Sequence, residues 1–217
     1  MVTQHLTEEE QQRLDRRIAE TEKRTGSQIV LAVIGRCDNY PELPWKAFAL
    51  AASTAGFAAV LLDWIRPSWN QSGTVHLAVA ATLIAGAGAG LLTVVLPAFA
   101  RLFLDRNRRE AETRQYAEAL FLKRQLYATQ ARTGILVLVS LFERQVVVLP
   151  DTGLATRLGK DTLAVVIEGM TRSLTDGPVS TALEQGLAGL EQALGSTAPR
   201  TGGTDTLPDN IVQEDGA

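Results

Sequence analysis

The chain is short of the residues that most often carry chemistry. Among 217 residues it has one cysteine, Cys37, and two histidines, His5 and His76. A single cysteine excludes an intrachain disulfide, and with two scattered histidines it leaves no Cys/His set for a structural zinc. The same scarcity leaves poor material for a Ser-His-acid or Cys-His nucleophilic centre. His5 sits in the leading segment, His76 at the edge of an apolar stretch, and neither is placed to activate Cys37. No HExxH helix, EF-hand loop or phosphate-cradling glycine loop occurs; Gly86, Gly88 and Gly90 fall inside an apolar run, and Gly202-Gly203 in a polar tail. Charge of one sign is missing as well. Twenty-one Lys and Arg against 24 Asp and Glu give a net charge of -3, which makes no case for nucleic acid. Residues 1–25 are highly charged and hold no apolar core for an export signal, so the first apolar span is expected to act as the first insertion signal.

What the chain does have is two long apolar stretches close together, Trp45 to Ile65 and Val75 to Leu104. After Lys46 the first contains one charge, Asp63, at its far end; the second has none before Arg101. About 20 apolar residues at ~1.5 Å rise per residue cross a ~30 Å hydrocarbon slab. The pattern therefore predicts a transmembrane helical hairpin, with spans at about 45–65 and 75–100 and a polar turn at 66–74. Basic residues set its direction. Arg36 and Lys46 precede the first span and Arg101, Arg106, Arg108, Arg109 and Arg114 follow the second, against Arg66 alone between them. By the positive-inside rule both termini are expected to be cytoplasmic, with the chain integral to the inner (plasma) membrane. Trp45, Trp64 and Trp69 fall at span edges, where interfacial tryptophan belongs. Gly86 and Gly90 form a small-xxx-small face, as do Ala52, Gly56 and Ala59. Such faces pack the hairpin on itself or serve a homodimer; the tethered partner helix favours the first. Asp63 reads as an interfacial, solvated carboxylate.

The flanks read as one α/β domain split in sequence: residues 1–44 and 105–195, with 45–104 inserted and 196–217 a polar, acidic tail expected to be disordered. Thr7-Glu8-Glu9-Glu10 has the form of a capping box. Leu14, Ile18 and Thr21 follow at helical spacing, and Gly26 closes the helix as a left-handed residue. Ile29 to Ile34 is a continuous apolar run, the signature of a strand covered on both faces. After the spans, residues 109–131 carry a helical stripe (Ala117, Leu120, Phe121, Tyr127, Ala128), which Arg132-Thr133-Gly134 is expected to stop. Residues 135–149 read as a β-hairpin turning at Phe142-Glu143-Arg144. A helix over 161–174 follows, with Leu163, Ile167, Met170 and Leu174 inward. A last helix opens at Pro178 with Leu183, Leu187, Leu190 and Leu194 buried, and Gly195 caps it. A helix ending in Arg-Thr-Gly feeds an apolar strand twice, either as two similar caps or as a pseudo-repeat. Both strands read as central, and the split domain closes only if its two pieces share one compartment.

Three segments carry a resemblance to a known family: Arg24-Thr25-Gly26-Ser27-Gln28-Ile29-Val30-Leu31-Ala32-Val33, Arg132-Thr133-Gly134-Ile135-Leu136-Val137-Leu138-Val139-Ser140, and Arg144-Gln145-Val146-Val147-Val148-Leu149-Pro150-Asp151-Thr152-Gly153-Leu154. In order and spacing they resemble the TPM domain family, named after thylakoid-lumen and photosystem-repair proteins and their bacterial relatives. With the last two helices, the resemblance covers most of residues 7–195 outside the spans. It implies a three-layer α/β/α sandwich around a small mixed sheet, here interrupted by the transmembrane hairpin. It also implies metal-assisted phosphatase activity and calcium binding, each reported for some relatives. Unlike many relatives, this chain shows no export signal and has a single glycine, Gly153, in the turn after the third strand.

For chemistry, what remains is carboxylates after strands. Asp38 follows the first strand and Asp151 the third, and ligands of open α/β sheets gather beyond the carboxyl ends of strands. Two acids there could hold Ca2+ or Mg2+, which would polarise a phosphoryl oxygen. The competing reading is that both are turn residues bonded to their own backbone. Glu143 and Asp161 are weaker candidates. Three functions follow: a membrane-anchored cytoplasmic α/β module that binds an unidentified protein partner, in envelope or membrane-complex maintenance; a membrane-tethered metal-dependent phosphatase; and a transporter subunit, for which two spans with one terminal acid are thin material. The absence of an activated nucleophile favours the first.

Overall fold

A computed structural model of the protein describes residues 6–65, 72–129, 131–154, 156–195, 211–214 and 216. Trp69, most of the expected polar turn, and residues 196–210 of the tail lie outside the described residues. The elements in order are α1 (Glu8–Thr25), β1 (Gln28–Ile34), α2 (Glu42–Ile65), α3 (Ser72–Val95), α4 (Pro97–Ala100), α5 (Arg106–Lys123), β2 (Gly134–Ser140), β3 (Gln145–Pro150), α6 (Lys160–Asp176), α7 (Val179–Leu194) and β4 (Val212–Glu214), with short 3-10 turns at Arg101–Phe103, Leu126–Ala128 and Thr152–Leu154. The chain divides into two compact units: Met1–Asp38 with Asn107–Ala217, and Asn39–Arg106.

The first unit is a three-layer α/β/α sandwich around a mixed sheet of order β3-β2-β1-β4. β1 runs parallel to β2 and to β4, and β2 pairs antiparallel with β3. The reason lies in the strand composition. All seven β2 residues are buried, as are six of seven in β1, so both must be covered on two faces. On one face Ile29, Leu31, Val33, Ile135, Val137 and Val139 meet Leu14 and Ile18 of α1, Val166 and Met170 of α6, and the leucine stripe of α7. On the other, Val30, Ala32, Ile34, Leu136 and Leu138 meet Ala117 and Leu120 of α5 and Leu126. In α6 the buried positions are Val166 and Met170, while Leu163, Ile167 and Leu174 are partly buried against the same core. The α1 ends are as expected: Thr7 N–H donates to Glu10 Oε2 at 2.9 Å, Glu10 N–H returns to Thr7 Oγ1 at 3.3 Å, and Gly26 is left-handed at φ 68°.

Two expectations about this unit fail. Gly134 does not cap a helix. α5 stops at Lys123, Gln125 takes the left-handed conformation at φ 53°, and the Leu126–Ala128 turn intervenes. Gly134 instead opens β2, where a Cβ would lie 2.3 Å from the Leu126 carbonyl oxygen, so the two Arg-Thr-Gly tripeptides serve different purposes. The tail is not wholly without structure either. Residues 212–214 form β4 because Val212 buries against β1 and α5, a long-range gain that an acidic, Gly/Pro-containing composition does not reveal.

In the second unit, α2 and α3 are each long and apolar enough to cross a membrane. At 24 residues each they reach ~36 Å at 1.5 Å per residue. Leu43 and Ala47 are the only buried residues described in α2, and Gly86 and Thr93 in α3. Trp45, Phe57, Val60, Trp64, Ile84 and Val94 are exposed. The second helix starts at Ser72, inside the expected turn, and ends at Val95 rather than near 100. Pro97 is the cause: its ring drives Leu96 into extended backbone (φ -115°, ψ 97°) and α4 begins afresh. A Cβ on Gly86 would lie 2.8 Å from the Phe48 ring and 3.2 Å from Ala52 Cβ, and one on Gly90 would lie 3.3 Å from the Pro44 carbonyl oxygen. The Gly86/Gly90 face weighed for a homodimer is thus occupied within the antiparallel hairpin.

Candidate functional site

The chain leaves the first unit just after β1 and returns at α5, so the carboxyl end of the parallel strands is where the insertion begins and ends in sequence. The exit and re-entry segments are joined by an ion pair, Arg108 Nη2 to Asp38 Oδ2 at 3.0 Å, and Arg108 also reaches Glu112 at 3.2 Å. Both partners of the first pair are partly exposed, so it orients more than it stabilises.

Below that pair lies a buried polar cluster. Glu143, 1% exposed, accepts the Cys37 backbone N–H on Oε1 at 2.9 Å and the Ser140 hydroxyl on Oε2. Cys37 Sγ donates to Thr113 Oγ1 at 3.6 Å, and Thr113 donates to the Arg109 carbonyl at 2.8 Å. The Arg36 guanidinium lies 4.1 Å from the Phe142 ring centroid, a cation–π contact. One carboxylate thus ties the loop after β1 to the β2–β3 turn, while Thr113 brings in α5. Beside it Tyr116 donates its hydroxyl to Glu214 Oε2 at 2.6 Å, and Lys123 Nζ lies 3.5 Å from Glu214 Oε1. The Tyr116 hydrogen bond, then the Lys123 charge, hold the Glu214 carboxyl below its ordinary value. Burial and then the Glu214 carboxylate push Tyr116 up.

The cluster holds a thiol and no activated nucleophile. Burial, then the Glu143 carboxylate, push Cys37 up to about 12 from 9.0. A thiol raised in the folded state is the stabilising form below the unfolded value, and its contribution is lost as pH rises through the folded value. We therefore expect maleimide to label Cys37 in the folded protein far more slowly than in the unfolded chain at pH 7, and stability to fall as pH climbs from about 9 to about 12. Cys37→Ser should flatten that alkaline slope. Rapid labelling of folded protein at pH 7 would contradict the burial.

Asp38 and Asp151 do not meet. β3 returns antiparallel, so Pro150 pairs with Ile135 at the start of β2, which pairs with Ile29 at the start of β1. Asp151 therefore sits at the amino end of the parallel strands, and Asp38 beyond the other end, on the order of 20 Å away at ~3.3 Å per strand residue. Asp151 Oδ1 accepts the Thr152 N–H at 2.7 Å and the Thr152 hydroxyl at 3.3 Å; its buried Oδ2 has no partner among the described residues. Asp38 is held by a guanidinium. The two acids do not fit one Ca2+ or Mg2+, and each behaves as a local turn or ion-pair residue. Asp161 is exposed in the first turn of α6, and Asp63 is exposed near the end of α2.

Glu143 was the residue most underrated by sequence, because a charge in a hairpin turn reads as solvated. The available signal was Leu141-Phe142 carrying apolar character into that turn. Ser140, Thr113 and Tyr116 gave none.

The family profile described as TPM domain matches residues 93–193. That stretch starts near the end of α3 and includes α5, β2, β3, α6 and nearly all of α7, leaving α1 and β1 outside it. No curated protein matches the chain. Among solved structures the chain is similar to the NMR structure of BA42 protein from the psychrophilic bacteria Bizionia argentinensis sp. nov., with a TM-score of 0.58, 14% identity, and 98% of each chain covered. At that identity the likeness shows the fold alone.

Proposed function

We propose that this chain, whose residues 93–193 match the TPM domain profile, is an integral membrane protein that presents its α/β domain on the cytoplasmic side as a binding module, holding a partner protein at the bilayer in the maintenance of the envelope or of a membrane complex. The observation that carries the reading is the insertion of two exposed, apolar helices between two neighbouring strands of one sheet. β1 and β2 pair over seven rungs, from Gln28↔Gly134 to Ile34↔Ser140, so both flanks must occupy one compartment and an even number of spans must separate them. Apolar side chains exposed around both helices suit lipid, since a helix of a water-soluble core would bury that surface. Thr54, Thr82 and Thr93 return their hydroxyls to carbonyls of their own helices at 2.7–2.8 Å, as hydrocarbon requires. The excess of Arg and Lys outside the 66–71 connection supports cytoplasmic termini.

Binding is favoured over catalysis by the state of the candidate site: a protonated thiol and a carboxylate engaged by backbone and serine. The alternative, a metal-dependent phosphatase, would need ligands other than Asp38 with Asp151.

The test is sidedness and extraction. The chain should stay with membranes through alkaline carbonate and leave with detergent. A tag placed after Ala217 should survive protease added outside sealed spheroplasts and be cut after lysis. Release without detergent, or cleavage of the tag from outside, would sink the reading.

A further inference from the structure

We propose that the edge of β1 beyond Leu31 is a slot for a short extended peptide, that residues 211–214 of this chain are its resident occupant, and that a partner protein binds by replacing them with a segment of the same pattern: an apolar residue, a neutral residue, then a carboxylate. This rests on the binding-module reading and names where the partner is held.

The tail is seated with side-chain selectivity. Register places Val212 beside Ala32, Gln213 beside Val33 and Glu214 beside Ile34. Strand alternation sends Val212 and Glu214 to the α5 face. Val212 is 4% exposed within the cluster formed by Ala32, Ile34 and Leu120, and two residues on Glu214 meets the Tyr116 hydroxyl and the Lys123 ammonium. Ile211 packs against the core of the opposite face. The backbone is engaged too, the Gly35 N–H donating to the Glu214 carbonyl at 3.1 Å.

The slot is bounded at both ends. Upstream the Glu22 carboxylate accepts the Ile29 N–H at 2.6 Å, closing the edge before the tail begins. Downstream the chain passes so close to Arg36 that a Cβ on Gly216 would lie 1.8 Å from the Arg36 carbonyl oxygen, and Gly216 has φ 85°. A glycine two places after the carboxylate is therefore part of the pattern. A sheet edge left open invites indiscriminate pairing; this one is shortened by Glu22 and covered by the tail. Strand addition to such an edge is a general mode of peptide recognition, with the backbone supplying affinity and alternate side chains the selectivity.

Occupancy by the tail makes the slot a competition. Residues 196–210 link the tail to α7, so the tail is present at a high effective concentration although it pairs over only three residues. A free peptide must exceed that concentration, and a variant that cannot seat its own tail should bind much more readily.

The probe is a fluorescein-labelled peptide Asp-Asn-Ile-Val-Gln-Glu-Asp-Gly, the sequence of residues 209–216, added to the full chain in detergent micelles. Val212→Asp in the chain should raise probe affinity at least about tenfold over the unsubstituted protein. A Glu214→Lys version of the peptide should lose at least about tenfold on that variant, and adding Tyr116→Phe to the chain should weaken the original probe several-fold. Equal binding to both chains, or indifference to the Glu214→Lys change, would overturn the proposal. If Val212→Asp fails to fold, amide exchange on the unsubstituted chain decides: the Gly35 amide, which faces the tail, should exchange much faster than that of Ile34, which faces β2, and excess probe should slow it. A Gly35 amide as protected as Ile34 and insensitive to probe marks a fixed strand and refutes the slot. Neither readout depends on membrane sidedness, so a failure here leaves the anchoring reading standing, and the reverse holds.

Discussion

Gly134→Val should destabilise the first unit by about 3 kcal/mol, seen as a fall of roughly 6–12 °C in the thermal midpoint of the full chain in detergent. The cause is contact between backbones. A Cβ at this position would lie 2.3 Å from the Leu126 carbonyl oxygen and 3.0 Å from its carbon, neither of which belongs to a side chain that can turn away. The strand cannot slide to make room. Gly134 pairs with Gln28 at the first rung of β2, its carbonyl accepts the Asp151 N–H at 2.8 Å, and the neighbouring Thr133 carbonyl accepts the Gln28 N–H at 3.2 Å. The Leu126 turn is equally fixed, since the Leu126 side chain is fully buried against Leu136 and Leu138. Gly169→Ala is the control of opposite sign. It lies inside α6 with only the Gln185 side chain at 3.8 Å, so alanine should stabilise by about 0.5–1 kcal/mol through helix propensity. Circular dichroism melts of both variants check the pair; a Gly134→Val midpoint within a degree or two of the parent would mean that the turn does not press on β2 as described.

That glycine marks where sequence stops informing. Features fixed by neighbours in the chain were legible: the Thr7/Glu10 capping box, the left-handed Gly26, the buried runs of β1 and β2, the β2–β3 hairpin and the two long apolar helices. Their causes are local hydrogen bonds and periodicity, which a linear reading contains. Gly134 owes its identity to a turn from a different layer, and its Arg-Thr-Gly setting imitated a helix cap. The Asp38/Asp151 pairing failed for another reason. Ligands collect at the carboxyl ends of parallel strands, and β3 runs antiparallel to β2, so the residue that follows β3 lies at the opposite end of the sheet from the one that follows β1. Pro97 breaks the second helix inside a continuous apolar run, so the length of that run overstates the length of the helix. β4 was out of reach, because Val-Gln-Glu becomes a strand only by docking on β1, and the acidic composition around it points to disorder.

Glu143→Leu should cost about 3 kcal/mol, while Glu143→Gln should cost about 1. The carboxylate is 1% exposed and serves two buried donors, the Cys37 N–H and the Ser140 hydroxyl. Leucine matches much of its volume but leaves the Cys37 N–H buried without its acceptor and the Ser140 hydroxyl with only the weakly accepting Cys37 sulfur, and an unmade buried hydrogen bond costs about 1–3 kcal/mol. The opposing term is the desolvation of the carboxylate, which leucine relieves; it wins only when the partners are removed together with the charge. Glu143→Leu combined with Ser140→Ala should therefore recover part of the loss, giving a favourable coupling in a double-mutant cycle, because one of the two donors left behind is gone. Glutamine keeps an oxygen for the Cys37 N–H and removes the negative charge beside the thiol. Since that charge is the second cause of the raised Cys37 value, Glu143→Gln should bring the thiol down from about 12, and the pH at which maleimide labels the folded protein should fall with it. Leucine and glutamine variants of equal stability, or a labelling profile that ignores the substitution, would show that Glu143 does not hold the loop after β1 to the β2–β3 turn. The carboxyl end of the sheet would then be a surface without a fixed interior.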